Sequence, residues 1–255
     1  MMSETEFEVT VDKDGTELNR DSSTYTATER SESQVIATEY DFWLFDFDGT
    51  IVDVEWEYTR SVFDRVGNQL GMSFSDNEVE QLWHGLGESR NAQVQSLGID
   101  TDTFWSALHE VENPTARAEA TYLHDDAAVL LNELHAANIP IGVVTHCQSF
   151  LAEPVVDYLD IGDWFDTFVT CTPELGWKPD PDPVYHAIES LGQDPSKPTA
   201  GVLAGDAPSD VGAAWNAGLA GLHIERHSPE QRGRCVLGDY RVDSLDLIRH
   251  QNSIQ

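Results

Sequence analysis

The stretch Asp41-Phe42-Trp43-Leu44-Phe45-Asp46-Phe47-Asp48-Gly49-Thr50 constrains the fold more than any other. Residues 42–45 form an apolar, aromatic-rich run that reads as a buried strand, and it ends at two aspartates spaced two apart. A carboxylate at the C-terminal end of such a strand sits where open α/β sheets place their ligands. Gly49 permits the turn that must follow. Asp46 and Asp48 are therefore expected to line one crevice. The ordinary alternative is an acidic turn, common in a chain with 46 acids and 14 bases.

After Thr50 the pattern becomes helical. Tyr58, Val62, Phe63, Val66 and Leu70 recur at three- and four-residue spacing, with Gly71 as a C-cap. Ser75-Asp76-Asn77 opens a second helix, and 102–111 and 115–123 read as two more, separated by Pro114. Nothing in 53–122 reads as a long strand, so an all-helical cap of about seventy residues is expected there. From Asp125 strands and helices alternate. Strands are expected at 139–144, 167–170, 200–204, 219–224 and 240–242, with helices at 127–137, 150–159, 182–191, 209–217 and 244–249. The expected fold class is α/β: a Rossmann-like parallel sheet covered by helices on both faces, with the helical cap inserted after its first strand. The core would comprise 39–52 and 123–255. Residues 1–38, rich in Ser, Thr and Glu, are expected to be a disordered acidic tail, with one weak hairpin signal at 7–11.

The formal net charge is −32. Charges of one sign repel in the compact state, and molar salt screens them within roughly 3 Å. Adaptation to a salt-rich cytoplasm, a halophilic origin, is the expectation. A nucleic-acid partner is not expected, since no basic patch exists to neutralise phosphates. Cys147, Cys171 and Cys235 lack CxxC spacing and are odd in number, which argues for a reducing compartment; the plain reading is three buried small apolar residues. With no secretory segment and no run of about 18 apolar residues, a cytoplasmic protein without a membrane partner is expected, as a monomer or homodimer.

In a parallel sheet the strand ends converge on one edge. That edge would gather Asp46 and Asp48, Thr145, Lys178 from the loop Gly176-Trp177-Lys178-Pro179, and Asp206 and Asp210. Two or three carboxylates in one crevice repel unless a cation joins them. Their hard oxygens suit Mg²⁺, which bridges to phosphate. Thr145 offers a hydroxyl and Lys178 a point charge for phosphate oxygens. Each also has a plain reading: a strand-end turn residue, a solvated loop lysine, and for Asp210 a helix cap.

Four stretches together resemble the haloacid-dehalogenase-like (HAD) hydrolases: Asp46-Phe47-Asp48-Gly49-Thr50, Val143-Val144-Thr145, Lys178 in Lys-Pro-Asp-Pro, and Gly205-Asp206-x-x-x-Asp210. The likeness covers about 41–250, in the family's order, and the insert resembles its helical cap of the first type, as in phosphoglycolate phosphatases. The resemblance implies an Mg²⁺-dependent phosphatase acting on small phosphorylated metabolites. Asp46 would attack phosphorus and form an aspartyl-phosphate; Asp48 would protonate the leaving oxygen and then help activate water. Mg²⁺ would be held by the Asp46 carboxylate, the Asp48 carbonyl and Asp206, with Asp210 nearby, while Thr145 and Lys178 bind the phosphoryl group. Family dehalogenases lack the second aspartate of the first stretch, and the phosphonatase branch needs a cap lysine. No lysine lies between Ile51 and His124. A sugar-phosphate mutase and a non-catalytic binding module of the same fold are the alternatives.

His146 stands where many relatives carry Asn. Within the insert, the glycines of Trp83-His84-Gly85-Leu86-Gly87-Glu88-Ser89-Arg90 loosen a link between two helices and can aim polar groups at the crevice. Arg90, with His84 more weakly, is the expected selector of a substrate carboxylate or second phosphate, because an arginine fork pairs with such groups. The plain reading is a solvated Arg90 paired with Glu88 or Asp102. The other insert arginines are Arg60, Arg65 and Arg117.

Overall fold

The computed structural model describes residues 37–196, 200–233 and 235–248. Among these described residues, eight strands and ten α-helices follow in chain order. They are β1 (Phe42–Phe45), β2 (Val52–Val54), α1 (Trp56–Leu70), α2 (Asp76–His84), α3 (Arg90–Ser96), α4 (Thr101–Val111), α5 (Pro114–Ala120), β3 (Thr121–Leu123), α6 (Asp125–Ala136), β4 (Ile141–Thr145), α7 (Ser149–Leu159), β5 (Thr167–Thr170), α8 (Asp182–Ser190), β6 (Gly201–Gly205), α9 (Pro208–Asn216), β7 (Ala220–Ile224), α10 (Pro229–Arg232) and β8 (Tyr240–Val242).

Six strands form a parallel sheet in the order β5-β4-β1-β6-β7-β8. All four residues of β1 are buried because both faces of the sheet are covered. Trp43 and Phe45 face a layer that includes Leu130, Leu131 and Leu134 of α6 and Ala152 and Val155 of α7. Phe42 and Leu44 face Val184, Ala187 and Ile188 of α8 and Ala213 and Ala214 of α9. This alternation is the period-two geometry of a strand. The chain runs outward from β1 through β4 to β5, then returns to the other side of β1 for β6. The reversal leaves a crevice outside the carboxyl end of β1, where such sheets bind ligands.

The insert holds α1 to α5 around its own core, in which Phe63, Phe74 and Phe104 meet edge-on or tilted with Val62, Val66, Val79 and Leu82. Ser75 caps α2 in a reciprocal pair with Glu78, and Asn113 caps α5 ahead of Pro114. One correction concerns the ends of the insert. Residues 121–123, expected to finish a helix, are strand β3, and they pair antiparallel with β2 in a two-stranded ribbon, so Val54 stands opposite Thr121. The insert is helical inside and enters and leaves the core through this ribbon. Val52-Asp53-Val54 and Thr121-Tyr122-Leu123 alternate too briefly to register as strands, and only their pairing makes them so.

The hairpin signal at 7–11 and nearly all of the acidic tail lie outside the described residues. The boundary at 38 moves, however: Ala37–Glu39 is a 3-10 turn, Ala37 is fully buried, and its carbonyl accepts the Trp43 indole N–H at 3.0 Å. The last expected helix is a 3-10 turn, Leu245–Leu247. No helix among the described residues is long and apolar enough to cross a membrane.

Candidate active site

Asp46 follows β1 directly, and its N–H donates to the Ala204 carbonyl at 2.8 Å, so the chain stays in the sheet up to the carboxylate. It then turns sharply. Gly49 has φ +77°, and a Cβ there would lie 2.8 Å from Asp206 Oδ2. Only glycine lets this turn press against the Asp206 carboxylate. The same holds opposite, where a Cβ on Gly205 would fall 2.2 Å from Asp210 Oδ2. Arg226, in the loop after β7, fastens the turn to the core: it donates to the Thr50 carbonyl at 2.8 Å and to both oxygens of Asp126 at 2.8 Å.

Carboxylate oxygens of Asp46, Asp206 and Asp210 lie within 4.8 Å of one another. Lys178 Nζ sits among them, 2.8 Å from Asp46 Oδ1, 2.8 Å from Asp210 Oδ1 and 2.7 Å from the Val144 carbonyl it donates to. Its side chain is fully buried, so the plain reading of a solvated loop lysine fails. These three acceptors match the three protons of an ammonium, and Lys178 grips the Asp46 carboxylate itself. Desolvation alone would lower the Lys178 pKa; Asp210 and Asp46 outweigh it and raise the pKa well above the ordinary lysine range. Asp206 is pushed up to about 8, by burial first and then by Asp210 and Asp46. Asp210 is raised to about 6 by burial, opposed by Lys178. Asp210 also accepts the Ala207 N–H at 2.8 Å, so its capping role and its site role coexist. Thr145, at the end of β4, is buried, and its hydroxyl accepts the Cys147 N–H at 3.0 Å.

Three buried carboxylates with one buried ammonium between them leave an excess of negative charge that burial penalises. A divalent cation with oxygen preference fits this donor set. The Asp48 side chain does not belong to the cluster. Its carboxylate turns to the insert, where Arg117 Nη2 of α5 lies 2.7 Å from Asp48 Oδ1. Asp48 then offers a metal only its carbonyl.

The expected selector residues occupy the insert side. Arg90 is neither solvated nor paired with Glu88 or Asp102. Its Nε and Nη2 donate to the carbonyls of Leu82 and Trp83 at 2.9 and 2.7 Å, closing the C-terminal end of α2. Its charge still reaches the crevice, since Arg90 and Arg232 both act on Asp206. His84 packs against His227 with ring centroids 4.5 Å apart and the rings tilted by 48°, and burial, then His227, Arg90 and Arg232, lower its pKa to about 3. His146 meets the edge of Trp177 at 5.6 Å and is held neutral, its pKa lowered to about 3 by burial and then by Lys178. The loop after α2 touches the core directly, with Gly87 N–H donating to the Arg232 carbonyl at 2.8 Å.

Two residues escaped the sequence reading. Arg117 is buried yet reaches the first motif from the insert. Cys147, read as a small apolar residue, has its thiol pKa driven well above the ordinary range by burial and then by the Asp48 charge. Cys171 is buried as expected, whereas Cys235 is exposed.

A crevice at the carboxyl edge of a parallel sheet, with a carboxylate nucleophile candidate gripped by a lysine and an acidic cluster beside it, defines a phosphoryl-handling hydrolase. The model of the haloacid dehalogenase-like hydrolase family matches residues 43–224, and the chain belongs to that family, as an enzyme of its phosphatase type. It is 31% identical to a phosphoglycolate phosphatase from Escherichia coli (strain K12), over 71% of this chain and 79% of that protein. It is 27% identical to a pyrophosphatase PpaX from Bacillus velezensis, over 69% of this chain and 78% of the relative. A haloacid dehalogenase-like family hydrolase from Streptococcus pneumoniae superposes with a TM-score of 0.65 at 20% identity, covering 82% of this chain and 96% of that one, a likeness of fold.

Proposed function

We propose that the enzyme hydrolyses phosphate monoesters of small metabolites through a phosphorylated Asp46, with Mg²⁺ as cofactor. The observation that carries this reading is the placement of Lys178 Nζ 2.8 Å from the Asp46 carboxylate, inside the Asp46–Asp206–Asp210 cluster. The Asp46 and Asp206 carboxylates and the Asp48 carbonyl would hold the cation, with Asp210 beside them. When bound, Mg²⁺ supplies neutralising charge for the phosphoryl oxygens and the converging carboxylates.

An Asp46 oxygen attacks phosphorus and the ester P–O bond breaks. The leaving oxygen takes its electron pair and the proton of Asp48. A water then gives a proton to Asp48 and attacks the phosphorus of the aspartyl-phosphate, returning Asp46 as carboxylate and releasing phosphate. Lys178, already on Asp46, follows the nucleophile and exchanges a carboxylate acceptor for a phosphoryl oxygen. The Thr145 hydroxyl has its proton free to donate to another. The wall that includes Arg90, His84 and His146 is assigned to substrate selection, with neutral imidazoles beside the arginine charge favouring a substrate with a second anionic group. Phosphoglycolate and pyrophosphate, on which relatives are named as acting, satisfy that requirement.

The test is phosphate release in molar KCl, with and without Mg²⁺, from a panel containing phosphoglycolate, pyrophosphate and sugar phosphates. Asp46→Asn should abolish it and leave the fold intact. Turnover retained by the purified Asn variant, or full activity in excess chelator, refutes the reading.

A further inference from the structure

Arg232 ends α10, beyond β7, and the residue is 1% exposed. Its backbone is fixed from both sides of the crevice. Its N–H donates to the Ser228 carbonyl at 2.9 Å, in a turn that Ser228 and Gln231 cap reciprocally, and its carbonyl accepts the Gly87 N–H of the insert at 2.8 Å. A long charged side chain turned inward at so firmly held a position gives up hydration and rotamer freedom.

The groups around it suit an anion. The guanidinium charge acts on the Asp206 carboxyl and on the imidazoles of His84, His223 and His227. Burial first, with Arg232 adding to it, holds these imidazoles below the ordinary histidine range. They are neutral at pH 7, so each can donate an N–H without repelling the arginine. His84 comes from the end of α2 in the insert and His227 from the core, and their rings pack with centroids 4.5 Å apart. His227 Nδ1 is buried and hydrogen-bonds no described residue. Arg90 adds charge to Asp206 and His84, but its Nε and Nη2 are committed to the carbonyls of Leu82 and Trp83.

We propose that Arg232, His84 and His227 form a subsite for the second anionic group of the substrate, and that this group lies within a few bonds of the reacting phosphorus. The inference rests on the phosphatase reading above and narrows its substrate class. The length limit follows from position. Arg232 acts on Asp206, whose carboxylate lies within 4.8 Å of the Asp46 carboxylate, so an anion that meets Arg232 is close to a phosphoryl group on Asp46. A diphosphate satisfies this, as does a phosphate ester with a carboxylate one carbon beyond the ester oxygen. A bisphosphate whose ends are separated by a sugar chain does not. The guanidinium fork pairs with two oxygens of a phosphate or carboxylate, and the imidazole N–H groups add directional bonds beside it. The competing role is structural, with Arg232 present to balance buried Asp206.

Inhibition of p-nitrophenyl phosphate hydrolysis by the full chain, in molar KCl with free Mg²⁺ held constant, separates the two roles. Methylenediphosphonate and phosphonoacetate carry a second anion one carbon from the phosphonate. In propane-1,3-diphosphonate the second anion is farther away, and inorganic phosphate has none. We expect at least one compact probe to inhibit the wild type about 10- to 100-fold more tightly than inorganic phosphate or propane-1,3-diphosphonate. The stronger of the two compact probes tells whether the second group is phosphate or carboxylate. Arg232→Gln should remove most of this advantage, and Arg232→Lys should recover part of it. His227→Phe keeps a ring against His84 and removes the N–H, and it should lower the advantage even if Arg232→Gln fails to fold. The proposal is overturned if no compact probe outdoes inorganic phosphate on the wild type, or if propane-1,3-diphosphonate matches them. It is also overturned if the folded variants weaken all four inhibitors in equal proportion. In each of these cases the phosphatase reading stands. A wild type that hydrolyses no phosphate ester defeats that reading and the proposal with it.

Discussion

Replacing Lys178 with Met removes the charge at the centre of the acidic cluster and nearly keeps the side-chain length. In the native chain the ammonium serves Asp46 at 2.8 Å, Asp210 at 2.8 Å and the Val144 carbonyl at 2.7 Å, with no exposure of its own. Breaking a buried ion pair from one side leaves the other charge uncompensated and typically costs about 3–5 kcal/mol. Here two carboxylates are stranded and a third, Asp206, lies within 4.8 Å. In a domain of this size each kcal/mol moves Tm by about 2–4 °C, so the metal-free variant should melt roughly 6–20 °C below wild type. Divalent metal should close much of the gap. The freed carboxylates gain a cation they need more than the native cluster does, and metal at a hundred times its Kd stabilises by about 2.7 kcal/mol. Thermal unfolding in molar KCl, with chelator and with Mg²⁺, reads both effects. A variant within about 2 °C of wild type in chelator, or a deficit that Mg²⁺ leaves unchanged, would refute this account of the cluster.

Asp53, in the ribbon, is raised to about 6 by burial, with the Asp48 charge adding to it. A carboxyl raised on folding costs stability from about pH 4 upward, and the cost is complete above about pH 6. Asp53→Asn should therefore stabilise at pH 8 by about 1–3 kcal/mol and by nothing near pH 4, measured by urea unfolding at both; equal effects at the two would sink the assignment. Residues 41–255 hold 36 Asp and Glu against 11 Lys and Arg, a net −25, so Tm should rise from low to molar KCl in a protein lacking residues 1–36 as much as in the full chain. Ala37 is retained because Trp43 donates to its carbonyl; a salt-independent Tm in the truncated protein would contradict a folded-state origin. Arg90→Ala should raise KM for an anionic substrate while leaving kcat on p-nitrophenyl phosphate nearly unchanged, with a modest Tm loss from the two carbonyls it abandons. Equal loss on both substrates removes Arg90 as selector.

The sheet was legible because its signals are local. The runs at 42–45, 141–145 and 201–205 are apolar over a strand's length, and each ends in a residue with chemistry, so a parallel sheet necessarily gathers Asp46, Thr145 and Asp206. The β2–β3 ribbon was hidden because 66 residues, 55–120, separate its two three-residue halves and neither is a strand alone. The direction in which Lys178 points was hidden for a related reason. Composition showed a rare lysine beside Trp and Pro, but only the packed loop shows that its ammonium pairs with two carboxylates and donates to a carbonyl.

The insert arginines show where sequence reasoning stops. Arg90 and Arg117 are both cations on an insert, and a glycine-flanked link made Arg90 the better candidate to reach the crevice. Folding assigns them otherwise. Arg90 follows the end of α2, where unpaired carbonyls draw its guanidinium backward. Arg117 lies on a seven-residue helix fixed at its start by Asn113 and Pro114 and followed at once by the strand that returns to the core. A residue so near the return is carried to the sheet edge whatever the rest of the insert does. A signal was present: a charged residue on a short capped helix, within a few positions of the re-entry strand, is better placed to touch the first motif than one in the middle of the insert. Its partner decides what that contact means. Had Arg117 met the Asp46 cluster, it would supplement Lys178; it meets the Asp48 side chain instead, at 2.7 Å.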